Sequence, residues 1–110
     1  MRIRIDTSGS RASVAVAGRF DAHEVAEFRT VVEPLVAAAD ELRLDLSNVV
    51  FIDSTALAEL VRLDKATRAA GGTLVLTDLS DPVRVIMEIT ALLPVFTVEE
   101  PAGAGADGAP

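Results

Sequence analysis

Cysteine, tryptophan and tyrosine are absent from this chain, and histidine occurs once, as His23. Without cysteine there is no disulfide framework, no thiol nucleophile and no thiolate metal site. A single imidazole gives metal binding no better footing, so neither a metal nor a cofactor is expected. The aromatic side chains are four phenylalanines, which leaves few platforms on which bases or sugars would stack. Positive charge is scarce too: 10 Lys and Arg stand against 17 Asp and Glu, a net charge of -7. Phosphate backbones and anionic membrane surfaces repel such a protein, which disfavours direct nucleic-acid binding and a membrane role. Charged residues interrupt every apolar stretch well short of a membrane span. The opening Met1-Arg2-Ile3-Arg4-Ile5-Asp6 alternates apolar and charged residues, unlike the continuous apolar run of a signal peptide. A cytoplasmic location is expected.

What is present suits one modest globular domain. The chain has 110 residues, 50% hydrophobic and 25% charged, with no room for a separate catalytic domain. Arg2 to Ile5 and Ser13 to Ala17 alternate as half-buried strands do, Ile3 and Ile5 on one face of the first and Val14 and Val16 on one face of the second. Thr7-Ser8-Gly9-Ser10 reads as the turn between them, and Gly18-Arg19-Phe20-Asp21 as a break after the second. From Ala22 the residues Val25, Phe28, Val32, Leu35, Val36 and Ala39 recur at helical spacing, with Asp21 as the expected N-cap. Pro34 lies inside this run and predicts a kink or an early end.

Leu42 to Leu46 alternates again, Ser47-Asn48 interrupts, and Val49 to Ile52 is a short apolar run ending at Asp53. The helix that follows buries Leu57, Leu60 and Val61, and Gly71-Gly72 is a suitable stop. Thr73 to Thr77 is rich in β-branched residues and reads as a strand. Asp81-Pro82 opens a third helix, with the acid as cap and Val83, Ile86 and Met87 as its inner face. Val95 to Val98 reads as a last strand after Pro94. The remaining residues, nearly all Glu, Pro, Ala, Gly and Asp, cannot bury enough apolar surface to order themselves. Residues 100–110 are therefore expected to be a disordered tail. Strand and helix alternate after an opening hairpin, which implies an α/β fold: a mostly parallel sheet with helices packed against it. In such sheets functional loops gather at the carboxyl ends of the strands, so Gly18 to Asp21 and Asp53 to Thr55 are expected on one edge of the domain.

The segment richest in information is Val49-Val50-Phe51-Ile52-Asp53-Ser54-Thr55-Ala56-Leu57, a strand that runs into Asp-Ser-Thr and then a helix. The first N–H groups of a helix lack intrahelical partners and carry partial positive charge, so they stabilise a phosphate placed there. Ser54 is thus a candidate phosphoacceptor. Asp, Ser and Thr are also the ordinary capping residues, and on local sequence alone capping is the commoner explanation of such a triplet.

These residues together resemble the STAS family. The resemblance rests on the order of elements, the Gly18-Arg19-Phe20-Asp21 segment, Leu44-Asp45-Leu46-Ser47-Asn48-Val49-Val50-Phe51-Ile52-Asp53-Ser54-Thr55-Ala56-Leu57, the Gly71-Gly72 stop and Ile89-Thr90-Ala91-Leu92. It covers residues 1–99 as a single STAS-type domain, and within the family the chain looks like a bacterial anti-sigma factor antagonist. The resemblance implies a switch protein rather than an enzyme. An anti-sigma factor that is also a serine kinase would phosphorylate Ser54; the unphosphorylated form would bind that partner and free a sigma factor, and a PP2C-type phosphatase would reset the switch. Asp21 matches the family aspartate in the loop beside the phosphoserine, and Asp53 matches the motif aspartate. With Ser54, Thr55 and Ala56 they form the implied partner-binding set. The chain departs from many relatives at Ala56 and Ala58, where those carry glycine; alanine favours the helix more.

Weighed singly, Thr55 points about 100 degrees away from Ser54 around the helix axis and is read as locally hydrogen-bonded. His23 has no group identified to orient it and is read as a solvated residue of the first helical turn. Asp45 alternates with Leu44 and Leu46 and is read as a partly exposed structural acid. Two rival functions come from other classes. One is a STAS accessory subunit of a lipid or solute ABC transporter, which needs no phosphoserine. The other is a small serine hydrolase built on Ser54, His23 and an aspartate, but the chain lacks the Gly-x-Ser-x-Gly elbow such an enzyme uses.

Overall fold

Nine elements follow one another in the computed structural model, which describes residues 1–99. They are β1 (Arg2–Ser8), β2 (Arg11–Phe20), α1 (Val25–Ala38), β3 (Glu41–Ile52), α2 (Ser54–Ala69), β4 (Thr73–Thr77), α3 (Asp81–Ile89), a short 3-10 turn (Leu93–Val95) and β5 (Thr97–Glu99). The strands form one sheet in the order β1-β2-β3-β4-β5. Only the β1/β2 hairpin is antiparallel; β2, β3, β4 and β5 run parallel. This is the mostly parallel sheet with an N-terminal hairpin that the alternation of elements predicts.

Because the parallel strands are laid down in chain order by crossovers of one hand, the three helices lie on one face of the sheet. Val14, Leu44 and Leu76 are register partners on that face, and all three are buried. They join Phe28 and Val32 of α1, Leu57, Leu60 and Leu63 of α2, and Val83 and Met87 of α3 in a single core. The opposite face carries Ser13, Ala15, Arg43, Asp45 and Thr77. Asp45 is partly exposed there and accepts the Ser47 N–H at 2.8 Å, the structural role read for it.

Strand β3 positions the loop cluster. Its buried residues are Leu42, Leu44, Leu46, Val49 and Ile52, so the spacing changes from two to three after Leu46. The pairing with β2 shows why. Ala15 faces Asp45 but Ala17 faces Asn48, and Gly18 faces Val49 but Arg19 faces Phe51. At each step β3 carries one residue more than β2, the signature of a β-bulge, and each extra residue reverses the alternation. The Ser47-Asn48 pair therefore does not end the strand; it is absorbed in the first bulge. The second turns Val50 and Phe51 outward, 66% and 38% exposed, within the short apolar run that leads to Asp53.

Several local expectations need correction. The hairpin turn is confined to Gly9-Ser10, with Thr7 and Ser8 still paired to Ala12 and Arg11. Gly18 does not break β2: its φ of 100, open to glycine at little cost, carries the strand through the bulge as far as Phe20. Helix α1 starts at Val25 rather than Ala22, and Glu24, not Asp21, occupies its N-cap without a side-chain bond. Pro34 sits inside α1, which runs on to Ala38. Both Pro34 and Thr30, whose carbonyl meets no N–H at the proline, lie on the exposed side, where the carbonyl is open to solvent. Ser80 holds the N-cap position of α3 and Asp81 is its first residue. The 3-10 turn at Pro94 delays β5 to Thr97. The stop after α2 is as predicted, with Gly71 at a φ of 86 and the Gly72 N–H reaching back to the Thr67 carbonyl at 2.8 Å. The expectation for residues 100–110 lies outside the described residues.

Candidate functional site

Strands β2 and β3 end side by side, with Phe20 opposite Ile52, so the turn after each emerges at the same edge. Phe20 anchors that edge by packing its ring 4.7 Å from the ring of Phe28. The two turns are then tied together by one side chain. Asp53 is the N-cap of α2, and its Oδ1 accepts the Ala56 N–H at 2.9 Å. Its Oδ2 accepts the Ala22 N–H, also at 2.9 Å, from the turn after β2. Both carboxylate oxygens are thereby committed to backbone donors.

Asp21 performs a different task from the helix cap predicted for it. Its Oδ1 accepts the His23 N–H at 3.1 Å and its carbonyl accepts the Glu24 N–H at 2.9 Å, so it closes the turn ahead of α1. Its Oδ2 lies 3.6 Å from Arg19 Nε. Arg19 in turn stacks its guanidinium over the ring of Phe51, its register partner on β3, 4.2 Å from the centroid. Asp21, Arg19 and Phe51 thus form a continuous surface strip next to exposed Val50.

Ser54 and Thr55 are the first two residues of α2, and both are exposed. Because Asp53 takes the cap, the Ser54 hydroxyl is not needed for it. Neither hydroxyl has a hydrogen-bond partner among the described residues, so the local bond read for Thr55 is not formed. Among the described residues the N–H groups of Ser54 and Thr55 have no acceptor either, and the first turn of α2 contains no acidic residue. Ala56 is different: its methyl is fully buried, so it offers a partner no side-chain contact and contributes only the N–H held by Asp53. Ala58 is exposed.

His23 is exposed in the turn before α1 and not in the helix itself. Two surface concavities of about 280 and 460 Å³ lie on the helix-free side of the sheet, around Arg4, Ala15, Arg43 and Asn48, and neither is lined by Ser54, His23, Asp21 or Asp53. Among the described residues no group of three or more His, Cys, Asp or Glu is placed to hold a metal ion.

An ion cluster centred on the buried Glu59 carboxylate, with partly exposed Arg29, Arg62 and Glu33 around it, links α1 to α2. Glu59, 3% exposed, receives Arg29 Nη2 at 2.5 Å and Arg62 Nη2 at 2.8 Å, while Arg62 also reaches Glu33 at 3.2 Å. Burial pushes the Glu59 carboxyl up, but the hydrogen bonds from Arg62 and Arg29 together outweigh it and hold the group below the ordinary glutamate range.

Sequence reasoning missed Arg19, Val50 and Phe51 as surface residues. The sole hint in the chain is the polar Ser47-Asn48 pair, which marks where the alternation slips.

A family model described as "Mlab, STAS domain" matches residues 3–93. The anti-sigma-B factor antagonist of Bacillus subtilis (strain 168) is 28% identical over 107 residues, 96% of this chain and 98% of the relative. The protein of the same name from Listeria monocytogenes is 33% identical over 91 residues, 82% of this chain and 80% of the relative. Among solved structures, the anti-sigma factor antagonist SpoIIAA in its unphosphorylated form superposes with a TM-score of 0.78 at 17% identity, covering 96% of this chain and 92% of that one. Bacillus SpoIIAA in the phosphorylated form gives 0.74 at 15% identity, covering 97% of each.

Proposed function

The chain belongs to the STAS domain family, and on that footing we propose that it is an anti-sigma factor antagonist switched by phosphorylation of Ser54. The observation that carries this reading is the division of labour at the start of α2. Asp53 caps the helix and ties it to the neighbouring turn, which leaves the Ser54 hydroxyl exposed and uncommitted.

In its unphosphorylated form the protein presents a surface made of Asp21, Arg19, Phe51, Val50, Ser54 and Thr55 to an anti-sigma factor. Exposed Val50 and Phe51 supply the apolar centre such an interface needs, and the charged residues its rim. The partner is also the serine kinase: the Ser54 oxygen takes the γ-phosphoryl group of ATP as the β,γ P–O bond breaks, ADP leaves and the hydroxyl proton is released. The modification adds roughly -1.5 to -2 charges. The free Ser54 and Thr55 N–H groups and the dipole of a 16-residue helix accept that charge at home. A partner surface packed against it has no such donors in place, and Asp21 and Asp53 already make the neighbourhood acidic, so the complex separates. A PP2C-type phosphatase restores the binding form. The role is regulatory rather than enzymatic, and it places the protein in the cytoplasm with its partner.

Affinity capture from the native host with Ser54→Ala and Ser54→Asp tests the reading. The Ala variant retains an anti-sigma kinase and the Asp variant loses it. Equal capture of ATPase and permease subunits by both variants would instead indicate a transporter accessory subunit.

A further inference from the structure

We propose that the outer edge of β1 is a self-association surface, through which two copies join β1 to β1, antiparallel about Ile5, in one continuous sheet. The motive lies in what β1 leaves unpaired. It is a seven-residue edge strand whose only strand neighbour among the described residues is β2, so among those residues one side of its backbone has donors and acceptors free for another strand. The other edge, β5, has three residues.

The side chains of β1 are as incomplete as its backbone. Arg4 and Asp6 face Ala15 and Ser13 across the hairpin, and Arg2 faces Ala17. Among the described residues none of these three charges has an ionic partner. Ile3 packs against the core, but Ile5 is 41% exposed.

Geometry leaves few ways to pair two such strands. A two-fold axis perpendicular to the sheet keeps the helices of both copies on one side, and opposite residues of an antiparallel pair then share a face, so the axis must pass through a residue. Centring on Arg4 or Asp6 sets that residue against its own copy, and centring on Ile3 sets Arg2 against Arg4. Like charges directly opposite are destabilising. Centring on Thr7 sets Asp6 against Ser8 and leaves Arg4 beyond an oppositely charged partner. Centring on Ile5 meets every requirement: Ile5 packs on Ile5, Arg4 pairs with Asp6 twice, Ile3 faces Thr7 and Arg2 faces Ser8. Ser54 starts the helix after β3, two strands in from this edge, so both copies keep the site open.

Sedimentation of the whole chain tests the register directly. The unaltered protein should sediment as a dimer, and Arg4→Asp and Asp6→Arg, each of which opposes like charges, should each dissociate at concentrations about tenfold higher or more. An equimolar mixture of the two variants should regain the dimer, because Asp at position 4 of one copy then meets Arg at position 6 of the other. The Arg4→Asp/Asp6→Arg double variant should dimerise alone. A monomeric wild-type chain at about 100 μM, single variants that associate as well as the parent, or a folded mixture that stays monomeric would each overturn the proposal.

Discussion

The carboxylate of Asp53 accepts the backbone N–H of Ala22 at 2.9 Å, joining the start of α2 to a turn 31 residues earlier in the chain. Its other oxygen caps α2. The side chain therefore fixes the position of Ser54 relative to Asp21 and Arg19, the arrangement on which a partner surface depends.

Replacing Asp53 by Ala removes both bonds. Loss of an N-cap costs about 0.5–2 kcal/mol, and the stranded Ala22 N–H adds to that. Asp53→Asn keeps one acceptor oxygen, so it restores the cap but turns an amide donor towards Ala22. Denaturant unfolding should rank stability as wild type, then Asn, then Ala.

Phe51→Ala should separate binding from stability. The ring is partly exposed and among the described residues its one specific contact is the Arg19 guanidinium, worth about 0.5–1 kcal/mol at a surface site. The thermal midpoint should move little while affinity for the anti-sigma partner falls about tenfold or more, the loss expected of an aromatic anchor. Calorimetric titration of the purified pair reads both the affinity and the integrity of the variant.

The Glu59 cluster predicts an acid-sensitive link between α1 and α2. The folded carboxyl sits below its ordinary value of 4.5, so the unfolded chain binds a proton more readily than the folded one. The stability that Glu59 contributes is complete above the unfolded value and is lost as pH falls through the folded one. Glu59→Gln should cost about 2 kcal/mol at neutral pH, and the gap from wild type should narrow steadily in denaturant titrations carried below pH 4.5. A gap that stays constant with pH would show that the charge is not what matters.

Pro34 gives a fourth expectation. It stands at an exposed position inside α1, where proline is unfavourable by about 3 kcal/mol against alanine. Pro34→Ala should raise stability, by less than that figure because the flanking backbone has already settled around the ring, and a rise in thermal midpoint checks it.

The order of elements was legible because the two periodicities are strong. Val14 and Val16 alternate, Phe28 and Val32 recur at helical spacing, and Gly71-Gly72 punctuates cleanly. What eluded the sequence were features set by neighbours. Asp21, Asp53 and Asp81 are all good caps by residue type, but only Asp53 caps a helix, since which acid does so depends on where the preceding strand ends. The bulges in β3 are invisible in Val49-Val50-Phe51-Ile52, where every residue is apolar and no alternation exists to be broken. Residue type and place in the chain make Ser54 a candidate at a helix start, where capping is the commoner role, and the structure sets it exposed at the first position of α2. That Ala56, two positions further on, is buried follows from the helical turn, which carries it beneath the surface that Ser54 and Thr55 share.

The most direct test is the intact mass and phosphosite of the protein purified from its native host, beside a Ser54→Ala control. The switch predicts a species carrying one phosphate, mapped to Ser54 and absent from the control. A protein that carries no phosphate under any growth condition, or carries it at a residue other than Ser54, would contradict it.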